Sequence, residues 1–153
     1  MRDDDVTRYL EVRFAPPDAA ALELFIKRMN DSADNLLLGL FPSEEPARHI
    51  GNIKLGPIDS RHAVAAIGVL IGAKDYWGKG LAGESVAAVA ELGFSDFGLE
   101  RVEAGFYADN LASQHAFRRA GFVEEGRLIA ARRIGDTRTD EIVMARLRDP
   151  RSA

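Results

Sequence analysis

Cysteine is absent from the 153 residues, which excludes disulfides, zinc–thiolate sites and a thiol nucleophile together. No apolar run approaches the 18 or more residues that a membrane helix needs. The opening Met1-Arg2-Asp3-Asp4-Asp5 lacks the apolar core of a secretory signal, so a cytoplasmic location without a membrane partner is expected. No metal site is expected either. A strong charge of one sign is also missing: the formal charge is −4, with the acidic excess in residues 1–100 and a slightly basic balance in 101–153. Arg118, Arg119, Arg127, Arg132, Arg133 and Arg138 stand among Glu and Asp, which reads as a mixed, solvated surface and argues against nucleic acid as a partner.

What is present suits one globular domain over residues 1–153: 46% of the chain is hydrophobic and 29% charged, with no linker, repeat or low-complexity segment. Apolar residues from Val6 to Phe14 suggest a short helix turning into an extended stretch. After the Pro16-Pro17 break, Asp18 caps a helix with Leu22, Phe25, Ile26 and Met29 on one face. Leu36–Phe41 and His49–Leu55 read as two antiparallel strands that Gly56-Pro57 ends. Ala63–Gly72, apolar on both faces, reads as a central strand covered on each side. A helix from Leu81 to Phe97 with Gly98 as its cap, a strand Glu100–Tyr107 and a helix Leu111–Ala120 ended by Gly121 follow. Phe122-Val123 opens another strand, and Leu128–Ile134 with Glu141–Leu147 forms a closing hairpin around Gly135-Asp136-Thr137.

Between the central strand and the long helix lies Trp77-Gly78-Lys79-Gly80-Leu81-Ala82. Glycines let successive backbone N–H groups point inward, and the positive end of the following helix adds roughly half an elementary charge. Such a turn is either a cradle for a pyrophosphate or simply a tight connection.

Taken in order, Trp77-Gly78-Lys79-Gly80-Leu81-Ala82, Asn110-x-x-Ser113 and Ala120-Gly121-Phe122-x-x-Glu125-Gly126 resemble the GCN5-related N-acetyltransferases, more narrowly their RimJ/RimL-like branch. The resemblance covers about Tyr9 to Leu147. It implies an α/β fold: a mixed, mostly antiparallel sheet that splays in the middle, flanked by helices, with acetyl-CoA in the cleft as acyl donor. The coenzyme's pyrophosphate would lie on Trp77, Gly78, Lys79, Gly80, Leu81 and Ala82. In the family's Arg/Gln-x-x-Gly-x-Gly/Ala pattern, Trp77 departs from the usual first residue, a change of small effect where backbone does the binding. Val69, Leu70 and Ile71 would pair with the pantetheine amides like an added strand. Asn110 would contact the pantetheine arm, Ser113 would protonate the departing thiolate, and Arg118 with Arg119 would meet the 3′-phosphate. Asn110 and Ser113 are equally suited to plain helix capping.

The implied reaction is direct attack by a primary amine, an amino sugar or a protein N-terminus, on the thioester. Tyr9-Leu10-x-x-Arg13-Phe14 with Asn52-Ile53-Lys54-Leu55-Gly56 is similar to relatives that acetylate amino sugars. Two departures stand out. Ala65 and Ala66 stand where many relatives carry a glutamate base, leaving His62, with Asp59 and His49 nearby, as the candidate proton acceptor. A lysine-like amine of pKa about 10.4 pays roughly 4.6 kcal/mol to be neutral at pH 7, an α-amine near 7.8 only about 1 kcal/mol, so a low-pKa amine is the expected acceptor. The family's first strand and helix also have no counterpart before Tyr9, so either the chain is truncated or a sheet edge is left open, and a homodimer or a destabilised monomer is expected. A non-catalytic acyl-CoA sensor that has lost its base is the alternative.

Overall fold

A computed structural model describes residues 3–149. Its first elements are a single turn of helix, α1 (Asp4–Thr7), and a 3-10 turn (Glu11–Arg13). The extended stretch expected up to Phe14 is therefore a second turn instead. Asp3 caps α1, its carboxylate accepting from the Asp5 and Val6 N–H groups, and the Phe14 N–H closes back on the Glu11 carbonyl. Helix α2 (Ala19–Asn30) has the predicted cap, Asp18 accepting from the Ala21 N–H at 2.8 Å. It buries no residue fully: Phe25 and Ile26 are 44% and 47% exposed.

The remaining elements are β1 (Leu36–Leu40), β2 (Gly51–Asp59), β3 (Val64–Ile71), α3 (Leu81–Asp96), β4 (Arg101–Tyr107), α4 (Leu111–Arg119), β5 (Val123–Ile134) and β6 (Thr137–Leu147). The strands form one sheet in the order β1-β2-β3-β4-β6-β5, antiparallel except where β3 runs beside β4. Among the described residues no strand pairs with the outer side of β1 or β5.

Three strands differ from the sequence reading. β2 continues through Gly56-Pro57, because the ladder breaks register between Leu55 and Ile58 and a proline without N–H is tolerated at such an irregularity. β5 is one long strand from Val123, its register shifted at Glu124/Gly126 and Leu128/Arg132. β3 is fully buried on one face only. Ala65 and Ile67 point into the core, whereas on the opposite face Ala66 and Leu70 are half-buried and Gly68 is exposed.

The core lies between the sheet and helices α3 and α4. Ile53, Leu55, Ala65, Ile67, Val102, Ala104, Phe106, Ile142 and Met144 meet Val86, Ala90, Phe94 and Phe117. Gly83 sets how closely the helices approach, since a Cβ there would sit 3.0 Å from the Ala116 carbonyl oxygen. Leu55 has no exposed surface. Leu55→Ala is therefore expected to lower stability by about 2–5 kcal/mol, read by denaturant unfolding; a loss under 1 kcal/mol would mean this part of the core is loosely packed.

Candidate active site

β3 and β4 stay in register for three steps only, Val64↔Arg101, Ala65↔Val102 and Ala66↔Glu103, and then part. Which backbone groups face the gap follows from the parity of the ladders. The Gly72 N–H donates to the Ile50 carbonyl (2.8 Å) and the Arg101 N–H to the Ala63 carbonyl (3.2 Å). Strand alternation then turns Val69 and Ile71 toward the gap and Leu70 toward β2. On β4, the Ala108 N–H bonded to the Asp140 carbonyl (2.9 Å) fixes the same parity, so Gly105 faces the gap from the other side. Of the expected trio, Val69 and Ile71 thus present backbone to the cleft. Leu70 does not: its peptide groups serve the β2 ladder, and it lines the cleft as a wall residue. The Ile71 carbonyl is already occupied by the Trp77 indole Nε1–H at 2.8 Å.

The gap opens into a cleft of about 570 Å3 that runs to the glycine turn. Gly78 (φ 74°) and Gly80 (φ 83°) adopt left-handed backbone that L side chains rarely tolerate. Gly80 is the N-cap of α3 and supplies no capping side chain. The Leu81, Ala82 and Gly83 N–H groups at the helix start are consequently left for a ligand, at the positive end of a 16-residue helix. The Arg119 guanidinium lies over this turn, its nitrogens 3.6 Å from where a Gly80 Cβ would be, and it forms no ion pair among the described residues. Lys79, with its Nζ 4.4 Å above the Tyr76 ring, borders the same mouth.

Asn110 and Ser113 lie in the cleft wall, and Asn110 does cap α4, its Oδ1 accepting from the Ser113 N–H at 3.1 Å. The cap uses the serine's backbone and leaves its hydroxyl available. Two candidates fall elsewhere. Arg118 points away toward Glu124 (3.1 Å) and Gln114 (3.2 Å) and does not line the cleft, because one residue along a helix rotates the side chain by about 100°. His62 sits in the turn before β3, its N–H bonded to Asp59, at the paired end of the strand; five residues separate it from the split, roughly 16 Å of extended chain. It is not placed to act as the base.

Sequence reasoning missed the N-terminal wall. Asp5, Val6, Tyr9 and Leu10 line the cleft. They are tied to one rim by Lys74 with Asp5 (2.5 Å) and Asp3 (3.0 Å), and to the other by the Tyr9 hydroxyl donating to the Asp109 carbonyl (3.1 Å). These pairings span 69 to 100 residues and leave no local signal. His115 and Gly105, also missed, could have been found from the helical spacing of α4 and from the break in the β4 apolar pattern.

Beneath this wall, Tyr107 is buried, donates to Glu11 (3.0 Å) and accepts from Arg13 (3.0 Å), and its phenol is pushed up, first by burial and then by Glu11. Arg132 grips Glu141 with two nitrogens, and a Cβ on Gly105 would collide with that carboxylate.

The acetyltransferase (GNAT) domain model matches residues 1–123. Among curated proteins, the chain is 29% identical over 128 residues to an uncharacterized N-acetyltransferase, p20, of Bacillus licheniformis, covering 82% of this chain and 71% of that one. It is 37% identical over 77 residues to an uncharacterized N-acetyltransferase, YoaA, of Bacillus subtilis (strain 168), covering 50% of this chain and 43% of the relative. In structure it is similar to the spermidine N-acetyltransferase of Vibrio cholerae in complex with CoA and spermine, with a TM-score of 0.82 at 22% identity, covering 95% of this chain and 83% of that chain. Among the described residues no helix is long and apolar enough to cross a membrane, and no group of three or more metal-ligating side chains forms.

Two outcomes follow from this geometry. Arg119→Ala is expected to weaken acetyl-CoA binding about tenfold, or about 1.4 kcal/mol, whereas Arg118→Ala changes it less than twofold; calorimetry giving equal losses would show that the two arginines were wrongly distinguished. The Lys74 bridge holds the Asp3 carboxyl below its ordinary 3.8. The clasp is thus complete above that value and is lost as pH falls through the lower folded one. Tyr9 fluorescence or amide shifts of Val6 should report the N-terminal wall loosening in that acid window and unchanged from there to neutrality. Loosening already at pH 5 to 6 would contradict the bridge's role.

Proposed function

The chain belongs to the acetyltransferase (GNAT) domain family, whose members transfer acyl groups from acetyl-CoA, and on that premise we propose that it acetylates a primary amine of low pKa, an α-amine or an amino sugar. The observation that carries the donor half is the unpaired edge of β3 leading straight to the capless start of α3. The pantetheine amides would continue the sheet on Val69, the pyrophosphate would take the Leu81 to Gly83 N–H groups, and Arg119 would supply the balancing charge. At the split, the Val69 N–H is the donor aimed where an oxyanion develops; one such donor is worth about 10²–10³ in rate. Ser113 carries a free hydroxyl for the departing thiolate.

The ease with which the amine loses its proton decides the acceptor class. The carboxylates around the cleft and its open face share cations two to one: Glu141 and Glu11 on Arg132, Glu103 and Glu125 on Arg101, Asp3 and Asp5 on Lys74. β3 bears no titratable side chain from Val64 to Ile71, so an amine that loses its proton readily suits the site better than a lysine or polyamine nitrogen. The similarity to a spermidine enzyme at 22% identity bears on the fold alone. The RimJ/RimL-like reading, with a protein N-terminus as acceptor, fits the same requirement.

The non-catalytic alternative has one observation in its favour, the bare β3. A thiol-release assay with acetyl-CoA and amines of graded pKa separates the readings. Turnover is expected to favour glucosamine-like or peptide α-amines at least tenfold over spermidine in kcat/KM at pH 7. Preference for spermidine would overturn the acceptor assignment, and tight acetyl-CoA binding without turnover on any amine would establish the sensor.

A further inference from the structure

The cleft has two side walls of opposite chemistry. One is made by the starts of α3 and α4, with the free Leu81, Ala82 and Gly83 N–H groups, Arg119 and the Ser113 hydroxyl. That wall suits the donor. The other is the N-terminal segment, which crosses the split: Asp5 reaches Lys74 just past the end of β3, and Tyr9 reaches Asp109 just past the end of β4. It packs on the face of the sheet opposite the helices. Val102, Ala104 and Phe106 of β4 point into the core, so Tyr107 points the other way, and the Tyr9 ring lies against it with centroids 5.8 Å apart.

What this segment turns into the cleft is mostly apolar: Val6, Tyr9 and Leu10, each half-buried. Both polar side chains it brings there already have partners. The Tyr9 hydroxyl donates to the Asp109 carbonyl at 3.1 Å, and the Asp5 carboxylate accepts from Lys74 at 2.5 Å. Across from the segment the split is bordered by Gly68 and Gly105, which have no side chain, and by Leu70, whose peptide groups serve β2. A Cβ on Gly68 would meet nothing within 4 Å. With the helix wall given to the donor, the room left for an acceptor is open at the glycines and apolar at the segment.

Two kinds of acceptor meet such a wall differently. A sugar ring carries hydroxyls on most of its carbons, and each one stripped of water against Val6 or Leu10 without a partner weakens binding roughly tenfold. An α-amine carries a single side chain, on the same carbon as the reacting nitrogen, so an amine at the split brings that side chain straight to the wall. Where it is large and apolar, covering it strengthens binding about tenfold or more over a bare hydrogen. The same wall eases loss of the amine's proton, because burial beside apolar groups disfavours the charged form.

We infer that Val6, Tyr9 and Leu10 select the acceptor, and that it is the α-amine of an amino acid or peptide whose first side chain is large and apolar, as in leucine, methionine or phenylalanine. The inference rests on the acetyl-transfer reading above and decides between the two acceptors named there. Val6 and Leu10 supply the apolar contact. Tyr9 adds its ring, and its hydroxyl pins the segment to the end of β4. Tyr107 behind it is fixed in turn, donating to Glu11 and accepting from Arg13, each at 3.0 Å.

The test is an acceptor panel on the wild-type chain with saturating acetyl-CoA: short peptides identical but for a first residue of leucine, phenylalanine, glycine or serine, together with glucosamine. The leucine and phenylalanine peptides are expected to exceed the other three at least tenfold in kcat/KM. Leu10→Ser, and Val6→Thr, which adds a hydroxyl at nearly unchanged volume, should bring that ratio below about threefold by slowing the apolar peptides alone. Acetyl-CoA affinity by calorimetry should stay within twofold and the thermal midpoint close to wild type, and Leu10→Met should restore the preference. Wild-type preference for glucosamine, or for the glycine or serine peptide, would overturn the inference without any variant. A Leu10→Ser loss shared equally by every amine would overturn it too, as the mark of a merely structural role. So would a changed choice between acetyl-CoA and butyryl-CoA with the acceptor choice intact, which would put the wall against the acyl chain. Wild-type protein that binds acetyl-CoA and acetylates no amine would instead overturn the transfer reading itself.

Discussion

Everything at the site depends on the failure of β3 and β4 to stay paired. Three ladder steps hold them together, and past Ala66 and Glu103 each strand keeps its outer neighbour while the inner edges part. In water such an edge is a liability, since unpaired N–H and C=O groups cost free energy unless something satisfies them. A ligand with amides of its own turns that liability into affinity. The separation also opens the space proposed for the acceptor, and the core residues Ile67, Ala104 and Phe106 on the two strands are anchored by α3 and α4 from below.

The glycine turn is the second constraint, and it works by what it omits. A serine or aspartate at the Gly80 position would cap α3 and consume its free N–H groups; the left-handed glycine leaves them open and lets Arg119 lie directly above. Trp77 contributes differently than a cationic residue would. Its indole closes the Ile71 carbonyl, so the strand edge available to a ligand is bounded and centred on Val69. Strand edge, turn and arginine then form one continuous track, the one proposed for the donor.

Much of this was legible in the sequence because it is local. The caps at Asp18 and Asn110, the glycine at 98, the helix from Leu81 and the turn itself all follow from spacing over a few residues, and each stands where it was read. What the sequence hid is tertiary. Whether β3 is covered on one face or two could not be told from a run of alanine, valine and isoleucine. His62 looked near the chemistry because it is near β3 in sequence, but it belongs to the paired end of the strand. Arg118 and Arg119 are adjacent in sequence and face different ways on the helix. The register that sets Glu103 beside Ala66 joins residues 37 positions apart and becomes visible only once the strands are paired.

The most direct measurement of the central claim is backbone amide hydrogen exchange, residue by residue, with and without acetyl-CoA. Strong added protection is expected at Val69 on the strand edge and at Leu81, Ala82 and Gly83 at the start of α3, with little change at Leu70, whose N–H already serves β2. Protection confined to the N-terminal wall, or none at Val69 and the α3 start under saturating acetyl-CoA, would contradict the placement of the donor in the split.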